Sequence, residues 1–318
     1  MRRAVVLMNL GGPDSPEAVR PFLYNLFSDR AIIGLPTVLR VPLAWLIAAR
    51  RTVAARAIYA QIGGSSPLLA NTKAQARALE AELGAEYRCF VAMRYWHPLT
   101  ASAVGAVKAW HPDEIVLLPL YPQFSTTTTA SSLAVWRGEA ARQELVGTTR
   151  EIRSYPEAPG FVAALAALIA DTLDVAAEQK TPLRFLFSAH GLPLKIVRAG
   201  DPYPSEVERT AVAVVQVLGR VGIDWRVCYQ SRVGPLAWLG PSVDDELRRA
   251  GRDGVGVIVA PISFVSEHSE TLVELDRDCR RLAEACGVPA YHRVPTVGTD
   301  RRFIAALADL VRSAGTDS

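Results

Sequence analysis

Short runs of continuous apolar residues alternate with longer stretches of helical period along the whole 318-residue chain. The clearest runs cover 4–10, 88–93, 115–120, 184–188, 226–230 and 254–260, with a weaker one at 290–294. They lack the apolar–polar alternation of a half-buried sheet, which predicts strands covered on both faces. Between them, 72–83, 101–110, 160–177, 205–221 and 271–286 carry apolar residues at helical spacing. Strands alternating with helices in this order predict an α/β fold with mainly parallel sheets.

The pattern runs twice. A first set of strands ends near residue 121 and a second begins near 149, after a charged, irregular connection. In each half a Pro-containing strand leads through an aromatic and a Ser toward a helix, from Pro119 through Phe124 to Ser125 and from Pro261 through Phe264 to Ser266. Two similar Rossmann-like domains are expected, 1–148 and 149–318, each a mainly parallel sheet flanked by helices. The last helix, 301–313, is expected to return and pack on the first domain. Open parallel sheets bind ligands outside the carboxyl ends of their strands. Asn9 lies at the end of one strand and Arg94, Gln123 and His190 follow others, so one cleft between the halves is expected to collect them.

Composition narrows the function class. A net charge of +3 without any aromatic-laced basic run argues against nucleic acid as a partner. The four cysteines are scattered and form no CxxC, which suits reduced thiols in a cytoplasmic protein. Met1-Arg2-Arg3 runs directly into a strand, so no secretory leader is expected. The apolar stretch 41–49 falls far short of the ~20 residues that span a bilayer. Flanked by Arg40, Arg50 and Arg51, it reads either as a core or lid helix or as an interfacial one.

Two motifs carry candidate chemistry. In Ser188-Ala189-His190-Gly191-Leu192-Pro193 an imidazole stands just past a buried strand, with small neighbours leaving its ring unobstructed. In Ser266-Glu267-His268-Ser269-Glu270, a His and carboxylates open a helix. Glu270, Glu274 and Asp278 follow at i, i+4 and i+8 on one helical face, opposite Leu272, Leu275, Cys279 and Leu282. That row reads either as the solvated face of an ordinary amphipathic helix or, with His268 beside it, as a cation or proton path. Gly11-Gly12-Pro13 lacks nucleotide-binding spacing. The Gly-Ser turn at 63–66 and the hydroxyl run at 125–129 are equally readable as anion sites and as helix caps.

Taken in order, these segments resemble one family over nearly the whole chain. They are Asn9 to Pro13, Tyr59 with Ile62 to Pro67, Met93-Arg94-Tyr95 with His97-Pro98, Leu120 to Ser125, Ser188 to Pro193, Tyr229 to Pro235 with Trp238 to Pro241, and Ser266 to Leu272. The chain resembles the ferrochelatases, which insert ferrous iron into a porphyrin to make haem. The resemblance implies a class II chelatase-like pair of Rossmann-like domains around a porphyrin cleft. It implies that His190 accepts pyrrole protons, handles the metal, or both, that Glu270 is its acidic partner across the macrocycle, and that His268 orients the site. His190 and Glu270 would be the metal ligands; Glu267, Glu274 and Asp278 would line a cation or proton route. Leu10, Tyr59, Arg94, Tyr95, Tyr121 and Trp238 match pocket positions, and Arg51, Ser66 and Ser125 match positions near the propionates. The apolar segment 34–51 matches a mobile lip that in the family can touch a membrane.

Two departures refine what the resemblance implies. Some relatives bind an iron–sulfur cluster through cysteines, one just after the Pro-Gln-aromatic-Ser segment and others in a C-terminal extension. Thr126 stands at the first of those positions, and no such extension is expected here. No cluster and no organic cofactor is expected, with Fe2+ as substrate. Relatives that use coproporphyrin commonly carry Tyr where Leu10 stands. The resemblance therefore implies a protoporphyrin IX ferrochelatase, cytoplasmic or peripheral at the inner membrane face. The alternatives are a coproporphyrin III enzyme, or a haem or porphyrin carrier with His190 as a static axial ligand.

Overall fold

The computed structural model describes residues 1–177, 181–220, 222–232, 234 and 236–314. Val221, at the end of one expected helix, and Val233 and Pro235, inside one family segment, lie outside the described residues. The chain forms two compact units, Met1–Ser154 joined by the residues from Leu307 onward, and Tyr155–Ala306.

The first unit contains strands β1 (Arg3–Asn9), β2 (Tyr87–Met93), β3 (Glu114–Pro119) and β4 (Thr148–Glu151). All pair in parallel, in the order β2-β1-β3-β4. Its helices are α1 (Val19–Phe27), α2 (Thr37–Ala60), α3 (Leu68–Leu83), α4 (Thr100–Trp110) and α5 (Thr129–Arg142). The segment at 148–151 is the edge of this first sheet, not the opening of the second. Its four residues are polar and part-exposed, so they carry no apolar run to announce a strand.

The second unit repeats the design with β5 (Leu183–His190), β6 (Asp224–Gln230), β7 (Gly256–Pro261) and β8 (Tyr291–Arg293), again parallel and in the equivalent order β6-β5-β7-β8. Its helices are α6 (Pro159–Ala177), α7 (Leu194–Arg198), α8 (Tyr203–Leu218), α9 (Val243–Asp253), a π-helix (Glu270–Asp278) and α10 (Cys279–Ala285). Helix α11 (Arg301–Ala314) begins in this unit and ends in the first, where Arg312 Nη2 donates to the Glu82 carbonyl at 2.9 Å.

Every residue of β3 and β7 is buried, as two-sided covering requires. Pro119 and Pro261 each end a strand, where the missing N–H breaks no ladder bond. Just beyond them, Leu120 N–H donates to Met8 O at 2.8 Å and Ile262 N–H to Ser188 O at 3.0 Å, an internal repeat down to single hydrogen bonds. Helix α6 holds the one described segment long and apolar enough to cross a bilayer, Pro159–Ala176. It packs instead into the second unit, with the Phe161 ring 5.8 Å from Phe303.

The expected single helix at 271–286 is two pieces. Glu270–Asp278 is wound with i→i+5 hydrogen bonds and Cys279–Ala285 with ordinary α bonds. Leu275, Cys279 and Ala283 still reach the core beside Val257 and Val259, so packing is kept while the turn carrying the acids is widened.

Candidate active site

In the second unit three strand ends converge. His190 is the last residue of β5 and pairs in register with Gln230, the last residue of β6. The loop leaving Pro261 at the end of β7 carries Phe264 and His268 to the start of the π-helix. Sheet order reverses direction at β5, with β6 on one side and β7 on the other, which makes this the switch point where open α/β sheets bind ligands.

Gly191 lets the chain turn away behind His190. A Cβ there would stand 2.9 Å from the Gln230 carbonyl and 3.4 Å from the Trp238 ring, while its own N–H donates to that carbonyl at 2.9 Å. Gly191→Ala is expected to push His190 out of line and lower turnover about tenfold or more. The check is kcat alongside an unchanged circular dichroism spectrum.

His190 Nδ1 lies 2.9 Å from Glu270 Oε2. Donation from Nδ1 to the carboxylate leaves Nε2 of the neutral ring with a lone pair, and the side chain keeps 40% of its surface exposed. Burial works against the imidazolium, but the Glu270 carboxylate, seconded by Glu274, outweighs it and raises His190 above its ordinary value. Glu270 is held well below the usual carboxylate range: burial opposes its charge, and His190, His268 and a Ser231 hydrogen bond overcome that. Glu274 moves the other way, raised by burial and by the neighbouring Glu270 charge. The two acids are thus split, one firmly ionised and one reluctant.

His268 approaches the same Glu270 oxygen, with Nε2 at 3.9 Å, and its Nδ1 is 3.1 Å from the Ser266 carbonyl. Burial lowers its pKa, against the pull of Glu270 and Glu267. Phe264 lies against both imidazoles, with ring centres 4.6 Å from His268 and 6.4 Å from His190. His190, His268 and Glu270 are therefore brought together as the sequence suggests. The resemblance implies Glu270 as a partner across a macrocycle; here the two side chains stand side by side, 2.9 Å apart, with no room for a ring between them.

The rest of the acidic row divides. Glu274 joins the cluster through Ser231, at 2.7 Å from its N–H and 2.6 Å from its hydroxyl. Glu267 is neutralised by Arg293 at 2.9 Å and also accepts from the Thr296 N–H and the Thr271 hydroxyl. Asp278 is 55% exposed and pairs with Arg281 at 3.6 Å. Two members were given no role from sequence. Gln230 donates to the Glu270 carbonyl and to Glu274 while accepting from Ser188 at 2.8 Å. Ser231 contacts both Glu270 and Glu274 and holds φ at +61°. Their signal was position at a strand end, Gln230 closing β6 and Ser231 following it, within the Tyr229 to Pro235 segment that resembles the family.

Trp238, the pocket residue assigned to this unit, bridges to Pro193 and backs the Gly191 turn. The other pocket positions lie in the first unit. Leu10, Tyr59 and Tyr95 pack in one apolar cluster with Val19 and Phe22. Ser66 closes on the Gly12 backbone, where a Cβ would stand 2.5 Å from its hydroxyl. Arg51 lies over the Phe27 ring at 5.6 Å, Tyr121 has its hydroxyl buried, and Ser125 is buried with Thr127 at 2.9 Å. Arg94 and Tyr95 spend their polar ends on Asp29, a residue the sequence did not flag. Asp29 Oδ2 accepts from Arg94 and Tyr95 at 2.7 Å and from Ser131 at 2.8 Å, and Oδ1 accepts the Ala31 N–H at 2.9 Å. This hub roots the turn that enters α2.

Among the described residues no group of three or more His, Cys, Asp or Glu is arranged to hold a metal ion. Comparison with known proteins adds the family. The ferrochelatase sequence profile matches residues 2–315. The chain is 55% identical to the ferrochelatase of Phenylobacterium zucineum over 99% of its own length and 92% of that protein. It is 55% identical to that of Caulobacter vibrioides over 98% and 90%, and 51% identical to one from a Wolbachia of Drosophila simulans over 98% of each. The cobalt complex of the sirohydrochlorin chelatase SirB from Bacillus subtilis subspecies spizizenii superposes with a TM-score of 0.57, covering 99% of this chain and 95% of that one. At 11% identity that likeness speaks to fold alone. With its two parallel sheets of one topology and a profile match from end to end, the chain belongs to the ferrochelatase family.

Proposed function

We propose that the protein inserts Fe2+ into protoporphyrin IX to give protohaem and two protons, the last step of haem biosynthesis. The observation that carries this reading is the His190–Glu270 pair, an imidazole tied at Nδ1 and open at Nε2. A pyrrole N–H gives its proton to Nε2, and Glu270 with Glu274 stabilises the imidazolium that results. The exposed edge of the ring returns that proton to solvent, and the same base serves the second pyrrole. His190 and Glu270 would also handle the ferrous ion. Because Nε2 has one lone pair and Glu270 is committed to Nδ1, the ion and the pyrrole proton would use Nε2 in turn. So small a donor set would release Fe2+ as four pyrrole nitrogens take over. His268, with Nε2 3.9 Å from the same Glu270 oxygen, adds a second imidazole beside the pair.

Leu10 supports protoporphyrin over coproporphyrin, since the family position is an apolar one here. Thr126 offers no thiolate, and iron enters only as substrate, with no resident cluster or organic cofactor. The lip is the long helix α2, on which Val38 is 80% and Trp45 56% exposed among Arg40, Arg50 and Arg51. Such a face suits a cytoplasmic protein docking peripherally on an anionic lipid surface.

The test is anaerobic incubation with Fe2+ and either protoporphyrin IX or coproporphyrin III, following loss of porphyrin fluorescence over many equivalents. Multiple turnovers, faster with protoporphyrin IX, are expected. Faster turnover of coproporphyrin III would overturn the substrate choice, and stoichiometric binding without turnover would make the protein a carrier.

A further inference from the structure

Ser231 is the first residue past β6 and occupies the left-handed backbone region, with φ at +61°. A glycine would adopt that conformation freely, whereas a side chain pays in strain for being there. What the conformation achieves is visible in its hydrogen bonds. The Ser231 N–H donates to Glu274 Oε1 at 2.7 Å and the hydroxyl reaches Glu274 Oε2 at 2.6 Å, so one residue grips both oxygens of one carboxylate. The same hydroxyl is 3.0 Å from Glu270 Oε2, the oxygen that faces His190 Nδ1 at 2.9 Å.

Gln230 fixes the strand end from which Ser231 reaches out. Its side chain accepts from Ser188, two residues before His190, and donates to the Glu270 carbonyl at 3.2 Å and Glu274 Oε2 at 3.3 Å. The ends of β5 and β6 and the first turn of the π-helix are thereby tied at one point. Because a single hydroxyl faces both carboxylates, displacement of Glu274 is felt at Glu270.

We infer that Ser231 is a positioning residue for metal insertion: it clamps Glu274 through backbone and hydroxyl and aims Glu270 Oε2 at His190. This rests on the reading of His190 and Glu270 as the reacting pair. The described hydrogen bonds of Ser231 go to Gln230, Glu270 and Glu274, so it acts through the acids.

Ser231→Gly separates the hydroxyl from everything else, since it keeps the N–H and suits the positive φ. The variant is expected to unfold at an unchanged or higher urea midpoint and to bind protoporphyrin IX, by fluorescence quenching, as the parent does. Its kcat for Fe2+ insertion is expected to fall about tenfold to a hundredfold, the scale of a mispositioned catalytic group. Ser231→Thr, which restores the hydroxyl, is expected to recover part of kcat. A Ser231→Gly variant with parental kcat overturns the inference, as does one that loses activity only in step with porphyrin binding or stability. His190→Ala assayed in parallel keeps the two ideas apart. If His190→Ala is inactive while Ser231→Gly is normal, only the clamp fails; if both are fully active, the site reading itself falls.

Discussion

His190→Ala is expected to bind protoporphyrin IX normally and insert iron about 10²–10⁴ times more slowly, the range contributed by a positioned general base. The residual rate is expected to lose its pH dependence near neutrality. In the parent the working form is the neutral ring, and its pKa is raised above 6.5 by Glu270 and Glu274 against the cost of burial. Activity therefore climbs as pH rises through that raised value. Stability runs the other way. The His190–Glu270 ion pair contributes fully below the unfolded pKa near 6.5 and is lost as pH rises through the folded one. Insertion rate and unfolding midpoint measured from acid to alkaline pH should thus trend in opposite directions, and His190→Ala should flatten both. Glu270→Gln keeps the shape and removes the charge, so its acid limb is expected at lower pH with turnover reduced more than porphyrin affinity. Full activity in His190→Ala would remove the base from the mechanism.

Asp29→Asn is expected to destabilise the first unit by about 3 kcal/mol, the cost of leaving one member of a buried ion pair without its partner. Arg94 cannot shed its charge, and both side chains are largely withdrawn from solvent. Tyr95, which is 1% exposed, loses its acceptor at the same time. Burial works against the Asp29 charge, yet the Tyr95 hydroxyl, the Ala31 N–H, Arg94 and Ser131 together depress its pKa. Stability from this group is present above the unfolded pKa near 3.9 and is lost as pH falls through the lower folded value. The variant should be weaker at neutral pH and converge on the parent at strongly acidic pH. Urea midpoints across that range are the measurement. A shift worth less than about 1 kcal/mol at pH 7, the worth of a surface pair, would mean that solvent screens the hub.

The two expected results differ in how readable their residues are. His190 is announced by its surroundings: a buried strand before it, a Gly and a Pro behind it, small neighbours beside it. Asp29 has no such frame. It lies in an irregular turn, and its importance comes from partners 65, 66 and 102 residues away. Ser231 is intermediate, because its place after a strand end is legible while its left-handed backbone is not.

The acidic row shows why period is an incomplete guide. Spacing at i, i+4 and i+8 treats Glu270, Glu274 and Asp278 as equivalents on one face. In three dimensions the first is pinned by His190, the second by Ser231, and the third pairs with Arg281 at the surface. The widened π turn changes which side chains converge, and no residue type in 270–278 demands that winding.

From the sequence alone came the α/β class, the doubled architecture, the strands that lead to His190, Gln230 and Pro261, and the family. Those follow from local apolar runs and from motif order, which are properties of neighbours along the chain. Tertiary structure alone decided that Glu270 stands beside His190 rather than opposite it, that Glu267 is occupied by Arg293, and that Ser231 and Asp29 organise their surroundings. Each of those depends on hydrogen bonds between segments far apart in sequence, whose directions are set only when strand register and helix winding bring the donors within about 3 Å of their acceptors.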